Sequence, residues 1–398
     1  MPEKQPESQA AAPAPVAVYD AVPHTETSEP IKYRAGPIWS LINDFALFIS
    51  QLYYLPLVLL PIGLKHGGLL QDMTIVGLLY QIIVSIVGVF GTAVLVFASF
   101  TGFPAPIWTS LALGTSLRLL TALQGPLNNF TVKSPTGHNF PNEAWLLVTG
   151  IATTPDGQRK ACQRISDLFG RDVVAIVNRS YGLVGDLLEC LNQRDLHWPS
   201  RDERLGYNVL VKALLDPKNK RVVLVGHSQG GIMVSAWIDQ LLADYNRSIL
   251  SKIEIYTFAS AANHLSAPVD ANGSMPFANI EHFANEFDYV SRIGVLAFTS
   301  DQQKQLPVDG KASYLRRGPH PKLHPATLGR QADKGLGAGL AFEKPVTIES
   351  RFAGRLFVRP RTGHLIVSHY LGKDSILDSP NVKRFSRLTQ YRDGGSPA

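Results

Sequence analysis

The residues Gly226-His227-Ser228-Gln229-Gly230-Gly231 carry the clearest chemical signal in the chain. A serine hydroxyl is a weak nucleophile until a neighbouring base takes its proton, so a reactive serine needs a fixed and exposed mount. Here the serine directly follows the β-branched run VVLV and precedes the helix-like stretch Ile232 to Tyr245. A strand, a tight turn and a helix hold a serine in a strained conformation at the top of the turn. Side chains two residues to either side would meet the neighbouring strand and helix, which accounts for Gly226 and Gly230. A glycine-rich connection has the same letters but does not need both flanking elements. The chemistry this mount allows is attack on an acyl carbonyl.

The elements that must position such a serine follow from the pattern after about residue 134. Short β-branched runs alternate there with amphipathic stretches, the pattern of an α/β domain whose mostly parallel sheet is covered by helices on both faces. Ala144 to Gly150, Val173 to Asn178, Arg221 to Gly226 and Ile253 to Phe258 read as successive buried strands. Between the first two, Gln158 to Phe169 places Ala161, Ile165, Leu168 and Phe169 on one face, as a crossover helix requires. The catalytic domain is expected over residues 133–372, with a C-terminal tail over 373–398.

The part before this domain is different in kind. Residues 1–36 are rich in Pro, Ala, Glu and Ser and read as a disordered tail, too polar to offset the entropy of ordering. The first apolar stretch begins only at Phe45, too late for a secretory signal. Residues 37–132 read as a membrane region with two or three hydrophobic helices. Phe45 to Leu64 has no charge and is long enough to cross a bilayer, although Pro56 and Pro61 would kink it; a re-entrant or interfacial course is the alternative. Lys65 and Asp72 then bracket a polar turn, and Met73 to Leu117 has no charged residue. Met73 to Phe100 is expected to be transmembrane. Pro106 to Leu123, interrupted by Arg118, is either a third span or a segment along the surface. An integral membrane protein follows. Lys32 and Arg34 favour a cytosolic tail, whereas the sequon Asn129-Phe130-Thr131 has meaning only on a lumenal side, so orientation stays open.

Composition narrows the function classes. The 398 residues are 45% hydrophobic and 18% charged, with a formal charge of +6, and the basic residues are scattered rather than aligned in a stripe. Nucleic acid is therefore not expected as a partner. Cys162 and Cys190 both fall in amphipathic stretches and read as buried thiols. His320 and His324 are four apart, but Pro319, Pro321 and Pro325 rule out a helix that would align them as metal ligands. With His264 and His282 they are expected to be surface or core residues, and no metal or organic cofactor is implied.

The segment VVLVGHSQGGIMVSAW resembles the α/β-hydrolase superfamily, its lipase and esterase branches in particular, over roughly residues 140–370. WLLVTGIATTPDG is similar to the early strand and loop that supply an oxyanion donor there, and NRSYGLVGDLLECLNQRD to the next strand end and helix. The resemblance implies an α/β-hydrolase fold, a Ser228 nucleophile, and then an acid and a histidine in that order. The acid is expected at Asp288, where the apolar strand of HFANEFDYV ends; Glu286 is the first rival and Asp270 a poorer one. The base is expected at His364, in the loop after the strand RLFVRPR, with His369 as the competitor. His227 is expected to pack against the sheet. The backbone N–H groups of Gln229 and of the Gly150-Ile151 region would meet the oxyanion.

The activity so implied is serine-dependent hydrolysis of an acyl ester. A hydrolase tethered beside a bilayer meets acyl lipids at high local concentration, so a lipid ester is the expected substrate. An acyltransferase using the same three residues, and a ligand-binding protein on the same fold, are the alternatives. The Gly-rich basic segment from about Thr299 to Phe342 is either a lid or headgroup contact, or an unstructured insertion.

Overall fold

A strand such as Val222 to Val225, apolar at every position, shows no polar face to water and must be covered on both sides. The computed structural model, which describes residues 16–22, 36–60, 68–125, 129–137, 140–270, 274–301 and 346–397, arranges such strands in one mixed, mostly parallel sheet. The strands are β1 (Ala17–Val22), β2 (Phe130–Val132), β3 (Glu143–Val148), β4 (Val173–Ile176), β5 (Arg221–His227), β6 (Ile253–Phe258), β7 (Asn279–Asn285), β8 (Thr299–Asp301), β9 (Val346–Ser350) and β10 (Gly354–Arg359). Their order is β2-β4-β3-β5-β6-β7-β10-β1-β9-β8. From β4 to β10 all neighbours are parallel; β2 against β4, β1 against β10 and β8 against β9 are antiparallel.

The helices are α1 (Pro37–Ser50), α2 (Ile75–Ser99), α3 (Ala105–Ala122), α4 (Pro155–Phe169), α5 (Gly182–Asp195), α6 (Arg201–Leu215) and α7 (Gln229–Asp244). Alternation along the strands divides the core between the two faces of the sheet. Leu146, Val148, Leu224 and Ile255 pack with Leu210 and Leu214 of α6 and Met233 and Trp237 of α7. Trp145, Leu147, Val223 and Tyr256 pack on the other face with Ala161, Cys162, Ile165 and Phe169 of α4. Full burial of each large apolar side chain contributes about 1.5–3 kcal/mol. Cys162 and Cys190 are buried free thiols on α4 and α5.

Two segments read from sequence as tails belong to the sheet domain. Ala17–Val22 is a strand between β10 and β9, and Val16 and Val18 are buried in the α4-side core. At the other end, Leu377, Val382, Leu388 and Tyr391 fill the same core, and the Arg171 guanidinium donates to the Gly395 carbonyl at 2.7 Å. Polar composition hid both, because their apolar residues find partners only through long-range pairing. The basic segment from Thr299 to Phe342, with His320 and His324, lies outside the described residues apart from the first three, which form β8.

The N-terminal apolar region is docked on this domain. The Phe45 to Leu64 stretch is not a straight helix: α1 is followed, across a 65° bend, by a 3₁₀ helix at Leu52–Leu59 that contains Pro56. On α1, Asp44 forms a buried ion pair with Arg194 at 2.5 Å, and Ser40 donates to Asp195 at 2.8 Å. Among the described residues, α2 is one helix long and apolar enough to cross a membrane. The Pro106 to Leu123 stretch forms most of α3.

Candidate active site

The turn from β5 into α7 places Ser228 at φ 61° and ψ −124°, a conformation that costs a non-glycine residue of order 1–3 kcal/mol. The strain is held by bonds on both sides: Ser228 N–H donates to the Phe258 carbonyl at 3.1 Å, and the Ser228 carbonyl accepts from Gly231 at 2.9 Å and Ala261 at 3.1 Å. The close packing that the sequence implied is present. A Cβ on Gly230 would run into the Val148 carbonyl, and one on Gly226 would lie 2.9 Å from Val234 Cγ2.

The loop after β10 brings His364 to Ser228. Its Nε2 lies 3.0 Å from Ser228 Oγ, and its Nδ1 lies 3.0 Å from Asp288 Oδ2. With a carboxylate at Nδ1, that nitrogen carries the proton and Nε2 offers its lone pair to the serine hydroxyl. Asp288, fully buried at the end of β7, also caps the short helix Tyr289–Ile293 by accepting from Val290 N–H at 3.0 Å through Oδ1. The same carboxylate thus meets His364 and caps a helix. Ser291 Oγ and the Tyr370 hydroxyl donate to Oδ2 at 3.1 and 3.0 Å.

The rival residues are elsewhere. His369 Nδ1 accepts the Leu365 N–H at 3.1 Å, and its carbonyl accepts from Arg359 at 2.7 Å. Glu286 is fixed through its backbone, N–H to the Arg359 carbonyl and carbonyl to the Arg292 guanidinium. Asp270 pairs with Arg247 at the surface. His264 is buried against Asp239 and Asn263, and His282 is a core residue bonded to Thr257. His227 does not simply pack on the sheet. Its Nε2–H donates to the His364 carbonyl at 2.9 Å, and the two rings lie 4.7 Å apart. Burial, and then repulsion by charge on His364, hold His227 down at about 3, so it is a neutral donor.

The expected oxyanion donors flank the serine. Gln229 opens α7, where the first N–H groups have no acceptor within the helix. Across from it, Gly150 comes so close that a Cβ there would collide with Ser228 Cβ and lie 2.9 Å from the Gln229 nitrogen. The Gly150-Ile151 loop is held by Asp186 on α5, whose Oδ2 accepts from the N–H of Ala152 at 2.9 Å and from Ser180 Oγ at 2.6 Å. Ala152 has φ 56°, so this bond holds a strained turn. Burial raises the Asp186 carboxyl to about 6, with its three hydrogen bonds opposing.

Sequence reasoning did not find the groups that fix the histidine loop. The N–H groups of Gly363 and His364 donate to the carbonyls of Leu57 and Val58 at 3.1 and 3.0 Å, and Thr362 Oγ1 donates to the Leu60 carbonyl at 3.2 Å. Asp72 accepts from the N–H groups of Val367 and Ser368 at 2.7 and 2.9 Å and from Ser368 Oγ at 2.6 Å. Burial raises its pKa, and these bonds oppose the rise. Asp72 had a visible sign, a carboxylate just before a long uncharged stretch; the carbonyls had none. Among the described residues there is no cluster of His, Cys, Asp or Glu that would hold a metal ion.

No family model and no curated sequence matches the chain. Among solved structures it is similar to the esterase Est22, at 12% identity and a TM-score of 0.27 over 51% of this chain and 78% of that one. The same esterase with p-nitrophenol gives 12% and 0.26 over 51% and 77%, and a further Est22 structure 11% and 0.24 over 49% and 75%. With overlaps this loose, the fold rests on the sheet order and the site on its own geometry.

Proposed function

We propose that the chain is a serine hydrolase with an α/β-hydrolase fold, held at a membrane, that cleaves the acyl ester of a lipid. The observation that carries this reading is the unbroken relay from Ser228 Oγ through His364 to Asp288, with 3.0 Å at each step. His364 Nε2 takes the Ser228 proton as Oγ attacks the acyl carbonyl, and Asp288 stabilises the imidazolium so formed. The oxyanion is met by the N–H of Gln229 and one from the Ile151 region. His364 then gives its proton to the leaving alcohol, which departs and leaves an acyl-Ser228. Water, deprotonated by the same histidine, attacks this ester and frees the fatty acid and the serine. No step calls for a metal or organic cofactor.

The lipid class of substrate draws support from the setting. The loop that carries His364 is bonded to the apolar segment Leu57–Leu60, and the exposed side of that region shows Trp39, Phe45, Tyr53 and Leu55. The test is release of fatty acid from phosphatidylcholine and diacylglycerol vesicles by the full-length chain, with Ser228→Ala alongside. Release that Ser228→Ala abolishes supports the reading. Release that Ser228→Ala retains, or acyl chains recovered on an added alcohol in place of water, contradicts it.

A further inference from the structure

We infer that α2 and α3 form a hairpin that enters one leaflet of a phospholipid bilayer and returns to the side it came from, with its tip at Phe100–Pro104 inside the hydrocarbon. The inference rests on the reading of the chain as membrane-held, but not on its chemistry.

The two helices are paired antiparallel about Gly102. At the base, Gln124 Nε2 donates to the Tyr80 hydroxyl and to the Ser180 carbonyl, both at 2.7 Å. Farther along, a Cβ on Gly91 would collide with the Leu113 side chain, so the helices are in close contact there. Both contacts are symmetric about Gly102, which fixes the register of the hairpin and brings its two feet to one place.

One face of the first half of α2 is packed on the sheet domain. Gly77, Gln81, Val84 and Gly88 are buried along one face of this half, and Ala98 is the further buried residue of α2, next to the tip. Ser180 Oγ lies 3.1 Å from Gln81 Oε1, Leu183 N–H donates to Ser85 Oγ, and a Cβ on Gly88 would lie 3.7 Å from Val184 of α5. Beyond Gly88, α2 leaves the domain. At 1.5 Å per residue the tip at Phe100 is about 18 Å farther on. A bilayer's hydrocarbon is about 30 Å thick, and one leaflet's share about 15 Å. The free part reaches through one leaflet and falls well short of the far surface.

The chemistry of the free part agrees. Between Gly88 and Leu117 there is no charged residue, and the exposed Arg118 stands opposite Ile86, back at the level of the domain. A turn emerging on the far side needs polar residues to meet water and headgroups. This one reads FTGFP, with Phe100 85% and Phe103 84% exposed. Thr92, Ser99, Thr101 and Thr109 each donate to a backbone carbonyl of their own hairpin, which suits hydroxyls in hydrocarbon.

The test uses the full-length chain in sealed phosphatidylcholine vesicles with the catalytic domain outside. Cysteine is introduced at the tip by Phe103→Cys or Phe100→Cys, and at the exposed base by Leu123→Cys. A membrane-impermeant maleimide is supplied outside or entrapped within, and the parent chain sets the background from the buried Cys162 and Cys190. The expected result is labelling of Leu123→Cys from outside, and of the tip cysteines from neither side, at least tenfold more slowly, until detergent is added. Tip labelling by the entrapped reagent overturns the hairpin and leaves membrane attachment standing. Tip labelling from outside overturns both. Fluorophosphonate labelling of Ser228 in the same vesicles reads the hydrolase proposal independently.

Discussion

The backbone N–H of His364 donates to the carbonyl of Val58 at 3.0 Å, so the proposed base is held in place by the apolar region that precedes the sheet domain. Asp72 completes the support from the same region, receiving three hydrogen bonds from Val367 and Ser368. Asp72→Ala removes a buried acceptor and strands three donors, at about 1–3 kcal/mol for each left unsatisfied. Ester hydrolysis in detergent, with no bilayer to bind, is expected to fall at least tenfold, and hydrogen exchange to rise over residues 363–370. Ser368→Ala, which loses one of the three, is expected to be milder. Wild-type activity and exchange in Asp72→Ala would remove the region from the site's support.

Tyr370 tests the setting of Asp288, the proposed acid. Its hydroxyl donates to Asp288 and accepts from the Asn285 N–H at 2.8 Å. Tyr370→Phe is expected to lower kcat several-fold with little change in KM, because it weakens the group that orients His364 and not the substrate contacts. It also leaves the Asn285 N–H without this acceptor, lowering stability by about 1–3 kcal/mol. A change confined to KM would contradict the assignment.

The site's architecture was legible in the sequence where local signals were strong. Ser228 stood between a β-branched run and a helix, and His364 followed a glycine at a strand end, so short-range pattern placed both. The choice of His364 over His369 rested on the loop position, and the structure brings His364 to the serine. Tyr370, Asp186 and the Val58 carbonyl were not legible, because their partners are distant in sequence and no periodicity records such contacts. β1 was missed for the same reason: AVYDAV is too short and too isolated to read as a strand until β9 and β10 flank it.

Gly150→Ala probes the close approach beside Ser228. The added methyl would collide with Ser228 Cβ and crowd the Gln229 N–H, so kcat is expected to fall at least a hundredfold if the loss of oxyanion geometry is complete. Thermal unfolding separates this from global damage: a shift of only a few degrees with activity lost is the expected pair of results. Retained activity would place the oxyanion elsewhere.

The polar layer beneath the serine predicts a dependence of stability on pH. Burial, with Asp186 and Asp202 nearby, raises the Glu189 carboxyl to about 7, although it accepts a bond from Gln229 at 3.1 Å. The folded chain keeps this proton after the unfolded chain has lost it near 4.5, so stability falls as pH rises from about 4.5 to 7. Glu189→Gln removes the effect. The variant is expected to be more stable than wild type at pH 8 by on the order of 1–3 kcal/mol, and little different at pH 4. Denaturant unfolding at the two pH values checks this; a gain at pH 4 that vanishes at pH 8 would reverse the sign.

The buried pair of Asp44 and Arg194 ties α1 to the end of α5. Asp44→Ala leaves the guanidinium buried without that partner and is expected to destabilise the chain by about 3–5 kcal/mol. If α1 instead crossed a bilayer away from the domain, thermal unfolding of the domain would be unchanged.

The relay from Ser228 through His364 to Asp288 is tested most directly by fluorophosphonate labelling of the full-length chain, with the adduct located by mass spectrometry. The expected result is modification of Ser228, lost in Ser228→Ala and His364→Ala and retained in a folded His369→Gln. No labelling of the folded wild type, or labelling that survives His364→Ala and fails in His369→Gln, would contradict it.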